Sequence, residues 1–235
     1  MTSDHLYEEA YVWIWLPGKV QPVVAGLLSR SGRQLVFNYG RSYLARNDKI
    51  ALYLPELPLE QGVLPLLPGL DMPSCIRDAS PDAWGRRVII NRKLGLKGEG
   101  ADSAELDELT YLLDSGSDRI GALDFQASPS EYLPRQRRAA SLGDLLKSAE
   151  RVEAGVKLHP DLDEALQHGT SLGGARPKAL IDTEDKHYIA KFSASRDLYN
   201  VVKAEYVAMR LGALVGLSIA PGPKAAGHAA PWSRP

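Results

Sequence analysis

The chain has 235 residues with 28 basic and 29 acidic side chains, so a formal net charge of -1 gives no general reason to expect nucleic acid or a membrane surface as a direct partner. One cysteine, Cys75, excludes an intramolecular disulfide framework and any multi-cysteine metal site, and it suits a reducing cytosol. No run of about 18 apolar residues occurs and the first residues, MTSDHLYEEA, are not basic then apolar, so neither a membrane span nor a signal peptide is expected and the location expected is cytoplasmic.

The first strand is predicted near Tyr11, where YVWIWL is β-branched and aromatic and Pro17-Gly18 marks a turn. VVAGLLS and QLVFNY flank the Ser31-Gly32 turn and read as a hairpin. The proline-rich runs ALYLPELPLEQG and VLPLLPGL predict short extended pieces, because each proline removes a backbone donor. Ser80-Pro81-Asp82 then looks like a helix start, serine as cap and proline in the first turn, with AWGRRVIINRKLG following. A second helix is predicted in SAELDELTYLLDSG, with Ser103 as cap and Leu106, Leu109, Leu112 and Leu113 on one face. IGALDFQ is the next strand.

Beyond a polar connector carrying Arg135, Arg137 and Arg138, helices are predicted in SLGDLLKSAERVEAG and DLDEALQHG. Glycine-rich TSLGGARPK leads into the strand ALID, the turn TEDK and the strand HYIAKF. A polar insert precedes a long helix, NVVKAEYVAMRLGALVGL, whose Val201, Val202, Met209 and Leu211 are expected to pack on the sheet. The tail, GPKAAGHAAPWSRP, is rich in glycine, alanine and proline and is not expected to be a strand.

The loop, lysine strand and glutamate helix form the segment with chemical content. A glycine-rich loop lets backbone donors approach phosphates, a strand lysine pairs with them, and a helix glutamate orients that lysine. The candidates are Gly173 and Gly174, then Lys191, then Glu205 14 residues later. Lys191 shares a strand face with Ile189, so its charge needs a partner or a phosphate. Taken singly, a Gly-Gly pair is an ordinary turn, a strand lysine snorkels to water, and a helix glutamate is solvated. Only their order and spacing raise nucleotide binding to stand beside those readings. TSLGGARPK lacks the GK[ST] ending of a Walker A loop, which argues against a P-loop NTPase. The histidines His5, His159, His168, His187 and His228 have no ligand-like spacing, so no protein-bound metal is expected.

Four segments, SPDAWGRR, SLGGARPKAL, YIAKF and VVKAEYVAMRLG, resemble the corresponding parts of HipA-like toxin kinases, and the likeness runs from about Tyr11 to Pro221. It implies an α/β (α+β) fold: a small mixed N-terminal subdomain in 1–128, then in 129–235 an incomplete protein-kinase-like N-lobe with the C-lobe absent and an atypical tail at 222–235. It also implies ATP with Mg²⁺ as cofactors and protein serine or threonine as acceptor, an aminoacyl-tRNA synthetase being the best-known substrate type. A helix-turn-helix antitoxin is the implied partner, and operator DNA an indirect one.

Carried over by motif, Gly173, Gly174, Ala175, Lys178, Lys191 and Glu205 are the implied nucleotide-binding residues, and Ser171 is the implied autophosphorylation site. A phosphate there would add about -1.5 to -2 charges to a phosphate-holding loop, which makes its ejection reasonable. Asp82, Arg86 and Arg87 are read as ion-pairing residues between subdomain and core, with a substrate or partner surface as the alternative, and Trp84 as packing. The likeness fails after SIAP, where the catalytic and metal-binding aspartates would follow. No residue is therefore assigned as catalytic, and the 235-residue chain is expected to be inactive or nearly so. The competing reading is a binding module that engages an antitoxin or a separate kinase; a product without a role also fits the tail.

Overall fold

The computed structural model describes residues 7–94, 106–119, 121–135, 142–156, 170, 174–182, 187–194, 197–219 and 230–233. The strands are β1 (Glu9–Ile14), β2 (Val23–Ser31), β3 (Gln34–Tyr39), β4 (Val63–Leu64), β5 (Leu123–Gln126), β6 (Lys178–Asp182), β7 (His187–Lys191) and β8 (Ala230–Ser233). The helices are α1 (Arg41–Leu44), α2 (Ser74–Asp78), α3 (Ala83–Leu94), α4 (Glu108–Asp114), α5 (Leu142–Glu153) and α6 (Val201–Leu214). The fold is thus mixed α/β. Contacts divide it into two units, 1–81 with 105–135 and 82–104 with 136–235.

In the first unit, five antiparallel strands run in the order β4-β3-β2-β1-β5. Leu35, Phe37 and Tyr39 alternate inward along β3, the period-2 pattern of a sheet with one buried face. Ser31 pairs with Gln34 across a two-residue turn in which Gly32 has φ +62°. A positive φ at the first central position fits the type II′ geometry that matches strand twist, and glycine accepts it without a Cβ clash. The proline-rich run gives only the short β4 and an isolated Tyr53–Leu57 bridge, as its missing donors predict. The helix expected from Ser103 begins later. Asp107 is its cap, its Oδ1 accepting from the Leu109 N–H at 3.3 Å, while Ser103 lies outside the described residues. Leu109, Leu112 and Leu113 join Val12, Leu28, Phe37 and Phe125 in the core.

A charged cluster closes the β5 edge of that unit. The Asp124 carboxylate is fully buried and accepts from Arg119 Nε at 3.1 Å, Arg135 at 2.6 Å, Tyr132 Oη at 3.0 Å and Gln126 Nε2 at 3.1 Å. Arg119 also donates to the Ala79 carbonyl and Ser115 Oγ, both at 2.6 Å, and lies 4.9 Å from the Phe125 ring centre. Burial lowers the Arg119 pKa to about 10, against the pull of Asp124. Burial alone would raise the Asp124 pKa, but Arg135 and Arg119 outweigh it and hold the acid below its ordinary 3.8.

The second unit has a three-stranded antiparallel sheet in the order β6-β7-β8. Ala179, Ala190 and Phe192 pack on Trp84 and Val88 of α3 and on Leu145, Ala149 and Val152 of α5, all buried. The helix start moves from its expected place. Asp82 O accepts the first helical N–H from Arg86 at 2.9 Å, while Ser80 Oγ donates to Glu108 Oε2 at 3.0 Å within the first unit. Trp84 is core, as expected, and its indole Nε1 donates to the Lys178 carbonyl at 3.1 Å.

Two expectations change. The tail was not expected to be a strand, yet Ala230–Ser233 pairs along β7; the missing Pro231 N–H is tolerable because β8 is an edge strand. α6 buries no residue fully: Val201, Val202 and Met209 are half-buried, but Leu211 is 57% exposed. Among the described residues, no helix is long and apolar enough to cross a membrane.

Truncating Arg119 leaves a buried carboxylate short of a countercharge. Arg119→Ala should cost about 3–5 kcal/mol, read from hydrogen exchange of the β1 and β5 amides in urea. In the intact chain Asp124 has a lowered folded pKa, so its contribution is present above the ordinary carboxylate value and is lost as pH falls through the lower folded value. Acid titration of the same amides should show that loss, and Asp124→Asn should abolish its pH dependence.

Candidate phosphate-binding site

The site follows from strand alternation. With Ala179 and Ala190 facing the α3–α5 core, the neighbouring positions Lys178 and Lys191 share the other face. They are direct register partners across β6 and β7, and directly opposed residues on an antiparallel ladder have Cβ atoms about 4.5–5.5 Å apart. The Phe192 N–H donates to the Pro177 carbonyl at 2.9 Å and extends the pairing one step, which fixes where the loop joins the strand.

α6 supplies the acid on this face. Asn200 caps it by accepting from the Lys203 N–H at 2.9 Å, and in the second turn Glu205 Oε1 accepts from Lys191 Nζ. Each of these side chains is about a third exposed, so the pair is open to a ligand from water. Lys178 is buried, and burial lowers its pKa; Lys191 pushes the same way, while Asp82 and Glu205 oppose.

Gly174 has φ +90°, a conformation that disfavours any side chain, and an ideal Cβ there would stand 2.6 Å from Lys178 Nζ. Its N–H donates to Asp82 Oδ2. Arg176 forks onto Asp197, with one bond of 3.1 Å, and Asp197 Oδ2 also accepts the Ala194 N–H at 3.0 Å. The hydrogen bond from Arg176 is the main reason the Asp197 carboxyl is held below its ordinary range.

The structure therefore brings together Gly174, Lys178, Lys191 and Glu205 of the sequence-predicted set. Ala175 follows Gly174 and is exposed. Ser171 and Gly173 lie outside the described residues. Asp82 was singled out in the sequence as an ion-pairing residue, but its contact with Gly174 is 92 positions away along the chain, and no spacing rule reaches that far. The Arg176–Asp197 fork was missed altogether; its only signal was a charged residue inside the loop and another in the polar insert.

Two lysines thus stand on facing strand positions beside a glycine turn, with an acid from α6 on one of them. Residues 14–126 match the family model of the HipA N-terminal domain, and residues 170–223 match that of the HipA-like C-terminal domain. No curated protein matches the chain. With both domains of the family found in order along one polypeptide, the chain belongs to the HipA-like proteins. The C-terminal match holds Gly174, Lys178, Lys191 and Glu205, while the N-terminal match holds Asp82 and Trp84, which belong to the second unit.

A lysine whose folded pKa is lowered binds its proton less tightly than the unfolded chain does. Stability therefore rises with pH between that folded value and the ordinary 10.5, and charged Lys178 is a cost at lower pH that a bound anion relieves. Tripolyphosphate affinity should accordingly fall as pH climbs through the lowered value, as the ammonium among Lys191, Asp82 and Glu205 discharges. Lys178→Arg should flatten that profile in calorimetric titrations, because a guanidinium stays charged.

Proposed function

We propose that the second unit is the nucleotide-binding lobe of a HipA-like serine/threonine kinase toxin. The observation that carries the reading is the Lys191–Glu205 pair standing opposite Lys178, beside the Gly174 turn. A lone strand lysine would be unremarkable. A second, buried lysine in register with it puts two ammonium groups on one face, and a polyphosphate offers the same charge as the acids, Glu205 and Asp82, that attend them.

The residues fit ATP. Lys178 and Lys191 would hold phosphate oxygens as point charges, Gly174 would let the backbone come close, and Glu205 keeps the Lys191 ammonium aimed at the sheet face. Bound ATP would supply the transferable phosphoryl group, and Mg²⁺ would offset its charge. On this reading Mg²⁺ would enter with the phosphates. We assign no residue as catalytic base, and the reading is one of nucleotide capture and orientation, with protein serine or threonine as the acceptor class of the family.

A second reading has its own observation. Leu211 is 57% exposed, Leu214 76% and Leu217 62%, an apolar stretch at the end of α6 that favours a protein partner. A helix-turn-helix antitoxin, or a separate kinase, is the class of partner this reading names. Stable co-purification with a co-expressed helix-turn-helix protein, lost in Leu211→Glu/Leu214→Glu, would support it.

A fluorescent ATP analogue displaced by unlabelled ATP tests the first reading. Lys191→Ala should weaken affinity about tenfold or more, and Glu205→Gln about three- to tenfold, because the ammonium loses its orienting acid. Equal affinity of the wild type and Lys191→Ala would sink the nucleotide assignment.

A further inference from the structure

SPDAWGRR splits in two once the fold is known. Its tryptophan belongs to the core, but its aspartate has no packing duty: Asp82 is exposed, and its carboxylate reaches the Gly174 N–H. The same carboxylate attracts Lys178, whose ammonium lies beside the Gly174 turn. A backbone N–H and a neighbouring ammonium meeting one oxyanion is what a phosphate oxygen requires of such a loop.

The geometry points to Asp82 as an affinity-setting residue: its carboxylate occupies the anion seat formed by the Gly174 N–H and Lys178, and an incoming nucleotide phosphate must displace it. The inference rests on the nucleotide reading above and adds to it a residue from outside the loop, strand and helix that define the site. One N–H cannot serve two oxyanions, and a carboxylate left in place would repel the phosphate. Displacement is feasible because Asp82 is exposed and regains hydration when it swings away. The opposing possibility is that Asp82 is a strut which holds the loop open for nucleotide. The two differ in sign.

Asp82→Asn and Asp82→Ser separate them, and both keep a residue type that starts helices well at the head of α3. The full chain would be titrated with the fluorescent ATP analogue, and the Gly174 amide followed by ¹⁵N NMR with and without ATP. The expected result is affinity about three- to tenfold tighter in Asp82→Asn, at least as tight in Asp82→Ser, because a charge-assisted competitor is gone. The Gly174 resonance of the nucleotide-free chain should move on substitution, and ATP should move it in the wild type.

Weaker or unchanged affinity in both variants, with the wild type still binding ATP, overturns the role of Asp82 and leaves the nucleotide reading standing. Binding by Asp82→Asn but not by the wild type supports the inference in its strongest form. If wild type and both variants all fail to bind, the nucleotide reading and this inference fall together.

Discussion

Charge repulsion between Lys178 and Lys191 is the constraint on which the second unit's chemistry depends. Register alone puts them opposite one another, and one of them is buried. Burial makes the Lys178 charge costly, and the Lys191 charge adds to that cost. Glu205 reaches Lys191 from α6, and Asp82 attracts Lys178 from the head of α3. Two acids from different helices thus compensate two bases on adjacent strands. The four side chains form a quartet of balanced charge, and under the proposed function a phosphate would take the place of one of its acids.

The opposite face of the same strands explains why this register is firm. Ala179 and Ala190 are small, so α3 and α5 can approach the sheet closely, and Trp84 fills the space beside them. The indole N–H then takes the Lys178 carbonyl, which anchors the residue whose side chain points the other way. A one-residue slip would put both lysines into the apolar core and the alanines outside. Burial of an aromatic on one face therefore holds charge in position on the other.

Much of this was legible. The alternation of QLVFNY, the hairpin at Ser31-Gly32 and the lysine-to-glutamate spacing of 14 residues all rest on local rules, and the structure places those elements as the rules require. What local rules cannot reach is which polar side chains converge on a buried charge. LDFQ reads as a strand, but nothing in it says that Asp124 will gather Arg119, Arg135, Tyr132 and Gln126. The apolar period of α6 identified a face without saying whether anything covers it, and Leu211 is in fact exposed. β8 defied composition because edge pairing needs backbone more than side chain.

The family segments and the contact units do not coincide, and the mismatch has a physical consequence. α3 falls within the stretch that matches the HipA N-terminal domain, yet its Trp84 and Val88 are buried with β6, β7 and α5. The second unit takes in residues 82–104, and its buried cluster holds Trp84 and Val88 from that stretch. Removing everything up to the C-terminal match would strip Trp84 from Ala179 and Ala190, free the Lys178 carbonyl and take Asp82 from Gly174 in one step. Folding of the second unit and the placing of Lys178 and Gly174 are therefore coupled through one helix, and the sequence order of the two matched domains is a poor guide to where either one is complete.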